Sequence, residues 1–464
     1  MTNRDVIRDL SELEGLEARV PHTFETRIFT QDAPEATFPE DGMHPDAAYR
    51  LIDRVIALDG DPNRNLATFV TTWMEPQAER LITENLHRNF IDHAEYPRSA
   101  EIEQRVIGML ADLFHAPAGK PMGARTQGSS EAIMLGALAM KWRWRAARGD
   151  VAGTPNLVFG GDVHVVWEKF CRYFDVEPRT IPLQPGKYTI GPDDVEPLLD
   201  ENTIGVVAVI GTTFTGQNDD IVGIDSLLRK VNDSKGWDIS VHADAASGGF
   251  TMPFIYPDDP WDFRLETVRS INVSGHKFGL VYPGVGWLIF REEKDLPEDL
   301  VFYENYLGKR DATFTLNFST GSSMVLAQYY NLVRLGRAGY ELATRSMQLN
   351  AQHLAEGIAA TDEFEVVPEP RLPLVAFTVA EGQDFNAFEV AEQLAQLRGW
   401  MVPAYTMPPD AESVEMLRVL VKLNQPRDAA DLLLEDLMTG VETLKKRGGG
   451  ERPKPKRVHQ GTGY

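Results

Sequence analysis

The middle of this chain alternates short apolar runs with helical stretches, and that order limits its fold more than any other feature. Runs that read as strands lie at Leu157 to Phe159, Ile204 to Ile210, Ile239 to Ala243, Ser270 to Val273 and Gly286 to Phe290. Between them the spacing predicts helices, clearest over Ser130 to Ala147 and Ser226 to Val231. Strands separated by helices point to a mostly parallel sheet covered by those helices, an α/β architecture. Earlier in the chain, Val6, Ile7, Leu10, Leu13 and Leu16 have helix-compatible spacing, Gln31 to Pro45 offers no period, and Ala47 to Leu58 reads as helix. Past Asn317 one long helical pattern leads into a smaller unit. That unit mixes strands (Leu374 to Val379, Arg418 to Lys422) with helices (Phe388 to Arg398, Ala429 to Lys445). The expected division is an N-terminal arm over 1–58, a large domain over 59–346, a small C-terminal domain over 347–447 and a tail over 448–464.

Charge and cysteine content narrow the function classes. Lys and Arg total 46 against 69 Asp and Glu, a net charge of -23, which opposes a nucleic-acid backbone as partner. One cysteine, Cys171, can form neither an intramolecular disulfide nor a thiolate metal site alone, so no metal is expected and Cys171 reads as a small buried hydrophobe. No apolar run approaches bilayer length and the first twenty residues lack the apolar core of a secretory signal, so the expectation is a cytoplasmic protein without a membrane partner. The last twenty residues carry seven Lys or Arg and one Glu. Gly448 to Gly450, Pro453 and Pro455 oppose the amphipathic helix that a calmodulin-type target would need.

The chemistry concentrates in INVSGHKFGLVYPGVGWLIF, where a strand runs into Ser274, Gly275, His276 and Lys277. A lysine between an apolar strand and Phe278 is poorly placed to snorkel, although reaching a carboxylate or a surface is the ordinary alternative. Thirty-three residues earlier, VHADAASGG ends a strand at Asp244 beside Ala245, Ala246 and Ser247, small residues that let a flat ligand approach the backbone. A lysine to form a Schiff base and an ionised acid to hold a pyridinium nitrogen are the pairing that pyridoxal phosphate needs. TQGSSEAIMLGALAM places Gly128, Ser129 and Ser130 at a helix start, where free N–H groups and the helix dipole suit a phosphate. Taken alone, that start is also ordinary capping. No GxxxxGK[ST] loop occurs, and Gly284 to Gly286 lacks the rest of a dinucleotide fingerprint.

In order, RNLATF, TQGSSEA, MKWRWR, DENTIGVV, HADAASGGF, WDFRL, SGHKFGL and NFS resemble the glutamate decarboxylase family of bacteria and plants, within the group II decarboxylases that use pyridoxal phosphate. The resemblance spans about Phe24 to Glu435. It implies a fold-type-I enzyme with a large, mostly parallel seven-stranded sheet, a small C-terminal domain, and active sites shared across a homodimer that could assemble further into a hexamer. It implies Lys277 as the Schiff-base lysine, Asp244 at the pyridine nitrogen, and Ser129, Ser130 and His276 at the phosphate, with Ser319 from the neighbouring subunit. Thr213 would line the ring hydroxyl side, and Ala246 one ring face. His164 would stack on the other face, where bacterial members commonly carry glutamine and aromatic amino-acid decarboxylases carry histidine. The distal carboxylate of L-glutamate would meet Thr68, Phe69, Asn89 and Asp92, an acid that can share a proton with it at low pH. Loop capping is the plain alternative for Thr68 and Asp92. Arg418 would hold the α-carboxylate, or else make a salt bridge on its strand. The implied reaction is decarboxylation of L-glutamate to 4-aminobutyrate; the rivals are a related decarboxylase of an aromatic or other amino acid, and a non-catalytic member of the family that serves as a dimeric scaffold, against which the intact Lys277 and Asp244 argue. The resemblance also suggests His459 as a gate that closes the site near neutral pH.

Overall fold

The computed structural model describes residues 36–40, 42–90, 95–149, 153–304 and 311–447. The chain forms two compact units, Met1–Asp61 and Pro62–Tyr464. In the first, the helix Pro45–Ile56 starts where sequence periodicity places one: proline occupies its first turn, and His44 Nδ1 accepts the Asp46 N–H at 3.3 Å.

The second unit is built on a seven-stranded sheet of β1 (Met122–Thr126), β2 (Asn156–Gly160), β3 (Glu177–Ile181), β4 (Thr203–Val209), β5 (Ser240–Asp244), β6 (Val268–Ser274) and β7 (Gly286–Phe290), in the order β1-β7-β6-β5-β4-β2-β3. Six strands run the same way and β7 alone is reversed, pairing antiparallel with both β1 and β6. Strands buried on both faces read as continuous apolar runs, and TIGVVAV in β4 is buried at every position. Two of the seven strands lack that signal. In β1, MGART, the buried Arg125 stacks over Phe90 at 4.8 Å and donates to Thr320. At the far edge β3, EPRTI, tolerates Pro178 because one of its sides has no strand to pair with.

Helix Ser129–Arg148 packs across β7 and β6. Between residues 302 and 313, β8 (Phe302–Glu304) and β9 (Asp311–Thr313) form a small antiparallel ribbon. The predicted single long helix past Asn317 is two helices within Ser323–Ala359, broken at Gly336, whose φ of 58° only glycine adopts without strain. Beyond it β10 (Phe364–Val366), β11 (Leu374–Val379), β12 (Ala404–Thr406) and β13 (Glu415–Leu420) form an antiparallel sheet in the order β10-β11-β13-β12. Helices Ala387–Arg398 and Arg427–Arg447 pack together beside it.

Trp287, fully buried in β7, sits in the core shared by the large sheet and these later elements. Trp287→Ala is expected to cost about 3–5 kcal/mol, read as a lower urea midpoint of unfolding with the wild-type slope retained.

Candidate active site

The residues singled out from sequence converge at the carboxyl ends of β1, β2, β4, β5 and β6, the edge of an open α/β sheet where ligands bind. There a cavity of about 440 Å³ is lined by Ser129, Ser130, His164, Thr213, Asp244, Ala246, His276 and Lys277. The cavity has the size of a small-molecule site.

Lys277 follows β6 in a tight turn. Its Nζ donates to Ser247 Oγ at 3.1 Å and stands 5.0 Å from the centre of the Phe69 ring. Burial pushes the amine down to about 8, against the pull of Asp244 and with help from Arg418. Two contacts from the RNLATF region brace the turn: the Thr71 N–H donates to the His276 carbonyl and the Thr71 hydroxyl to the Lys277 carbonyl, both at 2.8 Å. Three residues on, Leu280 takes a φ of 61°, a conformation that costs a branched residue about 1–3 kcal/mol. Its carbonyl accepts from Asn331 Nδ2 at 2.6 Å, which holds the turn in place.

Asp244 closes β5 and is buried. Its Oδ2 accepts from Trp167 Nε1 at 2.9 Å, and its Oδ1 accepts from Asn272 Nδ2 at 2.9 Å and from the Ala246 N–H at 3.3 Å. Asn272 Oδ1 in turn meets His242 Nε2 at 2.7 Å, and His242 Nδ1 meets the Ser270 hydroxyl at 2.7 Å. Because an amide oxygen only accepts, Nε2 carries the His242 proton and Nδ1 receives the serine O–H. Complete burial depresses the His242 pKa and keeps the ring neutral. A chain of three side chains from β5 and β6 therefore orients one carboxylate.

At the opposite end of the cavity the helix Ser129–Arg148 begins at Gly128, without a side-chain cap. Ser129 Oγ lies 2.7 Å from Ser274 Oγ, which leaves the exposed Ser130 hydroxyl and the first helical N–H groups toward the cavity. Glycine is required where β7 approaches this start: a Cβ on Gly286 would lie 2.5 Å from the Gly128 carbonyl carbon. His276 Nδ1 meets the Val285 carbonyl at 3.2 Å, so Nδ1 carries its proton. Burial, then Lys277, lowers the pKa of that ring. His164 stands exposed at the rim with Nδ1 accepting the Val166 N–H at 3.3 Å, which leaves its ring face free.

The proposed substrate residues are only partly gathered here. Thr68 shapes a turn, its Oγ1 accepting the Val70 N–H at 3.2 Å, and it presents Phe69 between Lys277 and Arg418, whose Cζ lies 5.1 Å from that ring. Arg418 makes no salt bridge on its strand; Nη1 donates to the Thr213 carbonyl at 2.5 Å and Nη2 to the Ala67 carbonyl at 2.6 Å, while Nε is buried without a partner. Asn89 Nδ2 reaches Ser319 Oγ at 3.4 Å, both exposed and neither lining the cavity; Asn317 lines it instead. Asp92 and His459 lie outside the described residues, as does the basic tail beyond Arg447. Sequence reading missed Trp167 and Asn272, which carry no local signal, and gave Ser247 and Ser274 no hydrogen-bonding role, although both lie inside the motifs VHADAASGG and SGHK.

The pyridoxal-dependent decarboxylase conserved domain matches residues 39–380. A glutamate decarboxylase of Solanum lycopersicum is 46% identical over 422 residues, covering 89% of this chain and 84% of the relative. This chain is a member of the glutamate decarboxylase family. Glutamate decarboxylase 5 of Arabidopsis thaliana is also 46% identical, over 92% of this chain and 87% of its own length. The solved structure of a Lactobacillus brevis glutamate decarboxylase superposes with a TM-score of 0.87 at 37% identity, covering 91% of this chain and 97% of that one. The family's cofactor is pyridoxal phosphate. The site fits it: a desolvated amine, a hydrogen-bonded carboxylate and an uncapped helix start with two serines surround a cavity of the right size. Among the described residues no cluster of metal-ligating side chains occurs, and no helix is long and apolar enough to cross a membrane.

Trp167→Phe keeps an aromatic ring against His242 but removes one donor from Asp244. Losing a hydrogen bond to a charged group is expected to lower kcat about tenfold in a folded enzyme. A steady-state assay and a thermal melt of the same preparation check both halves of that expectation.

Proposed function

We propose that this chain decarboxylates L-glutamate to 4-aminobutyrate and carbon dioxide, taking up one proton per turnover. The observation that carries this reading is a desolvated Lys277 beside an oriented Asp244 in a chain 46% identical to a glutamate decarboxylase over 89% of its length. Pyridoxal phosphate, when bound, supplies the electrophile and the electron sink that no side chain provides. Lys277 presents an amine whose neutral, nucleophilic form is accessible near pH 8, where its pKa has been drawn. Asp244, with three N–H donors fixing its oxygens, holds a positive charge opposite it in place. Ser129, Ser130 and the helix start hold a phosphate. Ala246 and the free face of His164 enclose a flat ring, with Thr213 at its edge. His276, neutral with Nδ1 tied to Val285, has Nε2 available to move a proton beside Lys277.

For the substrate, Arg418 would hold the α-carboxylate by turning its Nη nitrogens from the Ala67 and Thr213 carbonyls that they now meet, since its Nε is buried and the side chain does not line the cavity. Thr68, Phe69, Asn89 and Asp92 serve the distal carboxylate. The exposed pair Asn89 and Ser319 suits contact with a second copy, and the working unit is a homodimer in the cytosol, with the cofactor domain over 59–346 and the small domain over 347–447.

Borohydride reduction of the holoenzyme followed by peptide mapping should label Lys277, and the same preparation should take up protons with glutamate but not with aromatic amino acids. Label on another residue would remove the mechanism; proton uptake with tryptophan or tyrosine instead would move the substrate assignment to the rival class. Arg418→Lys retains charge but not the planar fork. It should raise KM for glutamate by roughly 10- to 100-fold, more than it changes kcat, since a charge-assisted contact is worth about 1.5–3 kcal/mol.

A further inference from the structure

Asp162 is a buried acid at the site to which nothing above assigns a role. It lies two residues beyond β2, is 2% exposed, lines the same cavity as Lys277, and has no hydrogen-bond partner on either carboxyl oxygen. The chain makes room for it: a Cβ on Gly160 would lie 2.5 Å from Asp162 Oδ1. The neighbouring Thr212 hydroxyl is likewise buried; it makes no hydrogen bond of good geometry, yet stands close enough to Asp162 to favour its charged form.

The groups that face Asp162 decide its charge. Asp219 accepts the Val209 N–H at 2.6 Å and the Ile190 N–H at 2.9 Å, and Asp244 accepts its three N–H donors. Both are supplied as anions should be. Neither Asp162 oxygen has a donor in good hydrogen-bond geometry; the Thr212 hydroxyl and the residue's own N–H are the only donors near it among the described residues. Lys277 pairs electrostatically with Asp244, and His164 turns Nδ1 to the Val166 backbone, so neither of these puts a cation in hydrogen-bond contact with Asp162. Burial pushes the Asp162 carboxyl upward against the Thr212 hydroxyl and its own N–H, with the repulsion of Asp244 adding to the rise, and burial with Asp162 raises Asp219 as well. Both carboxyls are raised, so the pair shares a proton; Asp219 has two backbone N–H donors in good geometry to favour its charge and Asp162 has none, which makes Asp162 the better holder.

A protonated carboxyl carries an O–H that must find an acceptor, and among the described residues no group, the Thr212 hydroxyl included, accepts it in good geometry. We propose that Asp162 is a positioning residue for the cofactor, acting as a carboxylic acid that donates a hydrogen bond to an oxygen acceptor on the pyridoxal ring. Losing that proton removes the donor and sets an anion against the acceptor, so cofactor affinity falls as pH rises through the titration of Asp162. Asparagine keeps the shape and a donor without titrating.

The test is equilibrium binding of pyridoxal phosphate to full-length protein stripped of cofactor, followed by protein fluorescence at pH 5.5 and pH 8. The proposal rests on the family's cofactor and not on glutamate, so a wrong substrate assignment leaves this readout untouched. Asp162→Asn should bind as the wild type does at pH 5.5 and at least tenfold more tightly than the wild type at pH 8. Asp162→Ala should bind at least tenfold more weakly than the wild type at pH 5.5, with an unchanged far-ultraviolet spectrum. Parallel pH curves for wild type and Asp162→Asn would overturn the proposal. So would a tenfold loss in Asp162→Asn at pH 5.5, which would make the carboxylate the working form, or wild-type affinity in Asp162→Ala.

Discussion

Taking the Asp244 carboxylate out of water costs several kcal/mol unless other dipoles replace the hydration, and the architecture around the site follows from supplying those dipoles. The donors come from helix Val166–Tyr173, from β6 and from the turn after β5, so the carboxylate is oriented only when these elements are docked. Trp167 is fully buried to reach it, and Asn272 is held by His242, which is held by Ser270. A neutral His242 matters here, since a cation below Asp244 would compete with the charge the carboxylate is there to stabilise.

The same economy of charge governs the rest of the cavity. Lys277 is kept from full protonation by burial, His276 is tied to a carbonyl, and Arg418 spends two of its nitrogens on backbone oxygens. Each is poised by loss of solvent and by geometry, and few formal ion pairs are needed. Reversal of β7 is part of this arrangement: it lets Gly286 pass within van der Waals distance of Gly128, so the helix start that suits phosphate and the strand that delivers Lys277 share one wall.

Much of this was legible in the order of residues. Strands buried on both faces announce themselves as apolar runs, and five of the seven in the large sheet were readable for that reason. The other two were not. β1 is polar because its Arg125 is satisfied by Phe90 and Thr320, partners distant in sequence, and β3 is an edge whose Pro178 breaks no ladder. The break at Gly336 was hidden within a helix-like period, since one glycine alone does not say whether a helix ends.

The sequence by itself determined which chemistry was available: a lysine and an acid following strands, serines at a helix start, and small residues where a flat ligand must approach. These are local facts, set by backbone period and residue type. Tertiary structure decided how those groups behave. Asp244 meets Trp167 across 77 residues of chain and Asn272 across 28, Lys277 is braced by Thr71 across 206, and Asp162 is left without a donor in good geometry while Asp219 and Asp244 are supplied. Protonation depends on burial and on partners that only the folded chain brings together, so no reading of residues in order could assign it.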